Sequence, residues 1–166
     1  MHPMKVASAL GALVALMAHE PPAWAGPPHV TFGSAPTSKD AFVANADGHG
    51  HEVVLTVSAE GLVDGKRVTQ ALKPVAGGAG AWAVPRNWPQ KGKWIVVASA
   101  KAIHGEGGKA TELINTCMVA PVASAPKLID RRGYIPKATE AFWRKGPFTE
   151  DDISKAIRDH GVEARP

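Results

Sequence analysis

The stretch Lys93-Trp94-Ile95-Val96-Val97-Ala98-Ser99-Ala100 decides the fold class, because both of its alternating faces are almost wholly apolar. Trp94, Val96 and Ala98 fall on one side and Ile95, Val97 and Ser99 on the other, the pattern of a central strand covered on both faces. Working outward, the spacing predicts further strands over 29–32, 41–45, 52–59, 66–72, 81–84 and 111–120. Asp64-Gly65 lies between two of these runs, and glycine there supplies the positive φ of a tight hairpin turn. Two prolines, Pro85 and Pro89, keep the 85–92 connection out of any ladder. The glycine-rich segments 75–80 and 104–109 read as a link and a loop.

Six to seven short strands within one domain imply an all-β fold, an Ig-like two-sheet sandwich over 26–121. A linker over 122–135 and a helical segment over 136–166 follow it. In that segment Pro136 suits a first helical turn, with residues 137–145 continuing to Gly146-Pro147. The second helix is marked more fully. Thr149 caps it with Asp152 three residues on, Phe148 staples against Ile153, and Gly161 ends it. Its apolar set, Ile153, Ala156 and Ile157, is small, so the helix needs a surface to dock on, either its own sandwich or a partner.

The first 25 residues read as an export signal. Lys5 opens an apolar run of thirteen residues from Val6 to Ala18, and Ala23-Trp24-Ala25 presents the small-x-small pattern that is cut before Gly26. Thirteen residues fall short of the roughly 20 needed to span a bilayer. The expected destination is the periplasm or the medium. Past residue 25 there are eighteen basic and fourteen acidic residues, scattered rather than striped, and this pattern does not suggest a nucleic-acid partner. Cys117 is the only cysteine, so no internal disulfide forms, and its apolar neighbours point to a buried, inert thiol.

His49-Gly50-His51 is the one local constellation that invites a metal, since a loop can turn both imidazoles toward one copper or zinc ion beside Asp47. Further donors, His29, His104, Met118 and Cys117, are distant in sequence. No nucleophile elbow, phosphate loop or dinucleotide turn occurs, so the expectation is a chain without catalytic chemistry and without a resident cofactor. Among the tryptophans, Trp82 and Trp94 are candidates for the core, and Trp88, in its turn, either caps the end of the sandwich or stands exposed as a contact residue.

The hairpin LTVSAEGLVDGKRV (55–68), the AWAV strand (81–84) and WPQKGKWIVVASA (88–100) together resemble exported bacterial Ig-like sandwiches of the YtkA-like, FixH-like and CopC-like kind. That resemblance implies a sandwich fold. Some members of those families handle copper or assist assembly of membrane oxidases, which for this chain implies a binding or assembly module with a protein partner, and metal handling through His49 and His51 as the alternative.

Overall fold

A computed structural model describes residues 26–106, 109–122, 125–136 and 146–164. The leader, read above as an export signal, and the helix expected over 137–145 lie outside the described residues. Two antiparallel sheets account for most of what is described. The smaller joins β1 (His29–Gly33), β2 (Asp40–Asp47), β6 (Ala81–Pro85) and β5 (Val75–Gly78) in the order β1-β2-β6-β5. The larger runs β4 (Lys66–Leu72), β3 (Val53–Val63), β7 (Lys93–Glu106), β8 (Lys109–Ala120), β9 (Lys127–Tyr134). A two-residue β10 (Val162–Glu163) also pairs with β7.

The sheets share one core. Val30, Phe42, Ala44 and Val84 of the smaller sheet pack with Leu55, Val57, Trp94, Val96, Cys117 and Val119 of the larger, all buried. Strand β7 is central, as its sequence predicts: it pairs with β3 on one side and β8 on the other. Its Trp94 and Val96 enter the shared core, whereas Ile95 belongs to a second buried cluster with Met118, Ala156 and Ile157. The latter two come from α1 (Glu150–His160), which lies against the outer face of the larger sheet. Sheet, sheet and helix therefore form three layers, and β7 is covered on both faces.

The helix begins as the sequence predicts. Thr149 is the N-cap, and its side chain and that of Asp152 bond reciprocally to each other's backbone. Gly161 ends the helix in an extended conformation, φ −60° and ψ 134°, so left-handed backbone is not why glycine stands there. A Cβ at Gly161 would run into the Ile157 carbonyl and Lys93, and its absence lets the chain turn directly into β10.

Several boundaries differ from the sequence reading. Among the described residues ten strands form where six or seven are expected. The 122–135 linker is largely strand: residues 127–134 pair with β8 through a bulge at Met118 and Val119. Asp130-Arg131-Arg132 hides this strand from an apolar-alternation reading, yet charges are what an edge strand carries to discourage intermolecular pairing. Arg131 turns inward to donate to the Val30 carbonyl at 2.6 Å, and Arg132 serves the helix. The 75–80 link also pairs, as edge strand β5, because ladder bonds need only backbone, and Ala79 and Gly80 at φ 48° and 74° make its turn. The 104–109 loop is mostly the end of a long β7–β8 hairpin. At Asp64 and Gly65, φ values of 51° and 77° give the expected hairpin turn.

Candidate functional site

Two places hold polar side chains in arrangements that local sequence does not dictate. The first is the seam between helix and sheet. Glu60 on β3 is buried, and its carboxylate accepts from Arg67 Nη2 at 2.8 Å, Thr69 Oγ1 at 2.7 Å and Ser58 Oγ at 2.7 Å. Arg67 then reaches α1, donating to Ser154 Oγ at 3.0 Å and pairing with the Glu150 carboxylate at 3.3 Å. On the other side of the helix, Arg132 Nη1 donates to Asp152 Oδ2 at 2.8 Å, and its guanidinium lies 4.3 Å from the Phe148 ring centroid. Arg132 also forms an ion pair with Asp130. Arg132, followed by the Thr149 backbone and hydroxyl, holds the Asp152 carboxyl well below the usual carboxylate range. Each edge of the larger sheet thus contributes one arginine that grips the helix. This is structural chemistry, in which the Nε atoms of both arginines are buried without a hydrogen-bond partner, that of Arg132 lying 3.4 Å from Asp130 Oδ2.

The second place is the end of the sandwich where β2 of the smaller sheet passes into β3 of the larger. An open hollow of about 750 Å³ lies there, lined by Ala46, Asp47, His51, Val53, Gly80 and Trp82 among others. The crossing turn is tightly built. Asp47 Oδ1 accepts from the His49 amide at 2.8 Å, and the His51 amide donates to the Gly48 carbonyl at 3.1 Å. His49 sits at φ 54° and Gly50 at φ 89°, and a Cβ on Gly48 would meet the His51 carbonyl and Val53 Cγ2. His49 itself is exposed.

His51 finds its neighbour elsewhere. Its Nε2 lies 2.7 Å from Nδ1 of His104, near the far end of β7, with ring centroids 4.5 Å apart and planes at 73°. The sequence singles out His49 with His51; the fold brings His51 to His104. The residues are 53 apart, so only the pairing of β3 with β7 could have revealed the contact. Among the described residues no three His, Cys, Asp or Glu side chains gather into a metal cage.

The remaining candidates occupy structural positions. His29 opens β1 and is exposed. Met118 is buried beneath the helix. Cys117 is buried in the shared core, and burial pushes its thiol pKa up, with Arg131 opposing. That suits an inert thiol. Trp94 is wholly buried and donates its indole N–H to the Lys91 carbonyl at 2.9 Å. Trp82 and Trp88 are partly buried against the same core, Trp88 with its ring centroid 6.3 Å from that of Trp94. Among the described residues no helix is long and apolar enough to cross a membrane. No family model, curated protein or solved structure matches this chain.

Proposed function

We propose that the chain is an exported binding or assembly module, an Ig-like sandwich without chemistry of its own that acts on a protein partner in the periplasm or medium. The observation that carries a binding rather than a catalytic role is the use made of buried polar groups. Among the described residues these are Glu60, Asn115 and Thr116. Glu60 anchors the helix clamp, Asn115 donates to the Pro28 carbonyl at 2.8 Å, and Thr116 bonds Ser99 at 3.0 Å. Each is engaged in holding layers or strands together, and the two buried side-chain nitrogens without a hydrogen bond, Arg67 Nε and Arg132 Nε, belong to the helix clamps and not to the hollow, whereas a catalytic group needs unsatisfied capacity aimed into a cleft. Export is supported by the leader, with its Lys5, its thirteen-residue apolar run and Ala23-Trp24-Ala25.

The test is to express the full chain in a bacterial host, fractionate the cells and determine the amino terminus of the protein recovered. A periplasmic or secreted product beginning at Gly26 is the expected result. A cytosolic product that keeps Met1 would refute it. A second reading, metal handling, is favoured by the contact of His51 with His104.

A further inference from the structure

We propose that His51 and His104 together form a binding site for a divalent transition metal, of the kind that Cu(II) or Ni(II) occupies, at the open end of the sandwich. Their facing nitrogens, His51 Nε2 and His104 Nδ1, are 2.7 Å apart. Two imidazole nitrogens bound at roughly 2.0–2.1 Å to one ion stand about 2.9 Å apart at a square corner and about 3.3 Å apart at a tetrahedral one. At 2.7 Å the two nitrogens share a hydrogen bond, so the ion replaces the bridging proton as the rings move apart, by less for the square geometry than for the tetrahedral one. The rings are also not head-on. A centroid separation of 4.5 Å is shorter than a collinear alignment across 2.7 Å allows, so the ring axes are bent relative to one another, as two ligands of one ion must be.

Both ligands are held by backbone rather than by chance. His104 sits within the β7–β8 ladder opposite Thr111. His51 follows a turn fixed by its own amide bond to Gly48 and by positive φ at His49 and Gly50, backbone that a loop without a specific demand seldom adopts. His51 lines the open hollow together with Asp47 and Glu52, so water can reach its side of the pair and complete the coordination.

The pair is present whether or not the chain is exported, so this inference stands or falls independently of localisation. The experiment titrates the full chain with Cu(II), Ni(II) and Zn(II) in turn, following heat and, for copper, electron paramagnetic resonance. A His2→Ala background removes a competing amino-terminal chelate. One equivalent of Cu(II) with hyperfine coupling to two imidazole nitrogens is expected, with zinc bound more weakly. His51→Gln and His104→Gln, which keep bulk and polarity, should each abolish that equivalent, and His49→Ala should leave it intact. Circular dichroism checks that each variant is folded, and exchange broadening of the His51 and His104 ring signals on adding Ni(II) reports the same contact without any substitution. A chain that takes up no metal, an unchanged copper spectrum in His104→Gln, or loss of the equivalent in His49→Ala would overturn the assignment.

Discussion

Trp94→Ala is expected to destabilise the fold by about 3–5 kcal/mol, the usual cost of emptying a buried tryptophan site. Against the 5–15 kcal/mol or so that holds a typical domain together, this is enough to approach unfolding. Trp94 is wholly buried and lies across from Gly61 in the β3–β7 ladder. A Cβ on Gly61 would stand 2.6 Å from Trp94 Cδ2 and Cε3, inside any tolerable contact. Gly61→Ala alone should therefore cost about 1–3 kcal/mol by overpacking, since a ring closed in on all sides cannot yield. In the Trp94→Ala background the added methyl enters vacated space, and its cost should fall to about zero. Urea unfolding of the wild type, both single variants and the double measures this coupling. Additive losses would show that the ring does not rest on Gly61.

The clamp on α1 carries the second large effect. Arg67→Ala removes the only cation that, among the described residues, pairs with the Glu60 carboxylate, whose side chain is 7% exposed, and leaves it with two hydroxyls. Breaking a buried pair from one side costs about 3–5 kcal/mol, and the lower end applies because the Arg67 side chain keeps 23% exposure. Adding Glu60→Gln removes the stranded charge and should restore much of the loss. If instead the double variant is less stable than Arg67→Ala, the burial of Glu60 is not the source of the effect. The opposite clamp gives a pH signature. Because Arg132 depresses the folded-state pKa of Asp152, its stabilisation is complete above the ordinary carboxylate value of 3.8 and drains away as pH falls below it toward the lowered folded value. Helix signal followed in mild denaturant from pH 6 to pH 2 should decline earlier for wild type than its β signal, and Arg132→Ala should flatten that pH dependence.

Local sequence carries the parts of this fold that are locally determined. Strand β4 occupies the 66–72 stretch that its alternation predicts, Asp64-Gly65 turns as its backbone preference requires, and Thr149 with Asp152 caps α1. The two-sided apolar pattern of β7 correctly implies a cover on both faces, although its alternation cannot say that one cover is a helix. What escapes is what depends on partners. Strand β5 is four exposed residues held by ladder bonds to β6, and β9 carries its charges because it is an edge. The contact of His51 with His104 arises from the register of β3 on β7, with Val53 opposite Ala102, and no residue near either histidine announces it.

Strand β7 is sealed between a second sheet and a helix, a burial that native-state hydrogen exchange tests most directly. Amides of residues 95–98 should be among the slowest in the chain, exchanging only through global unfolding, with those of edge strands β1 and β5 opening at much lower free energy. Exchange of the 95–98 amides as fast as those of the edge strands would contradict it.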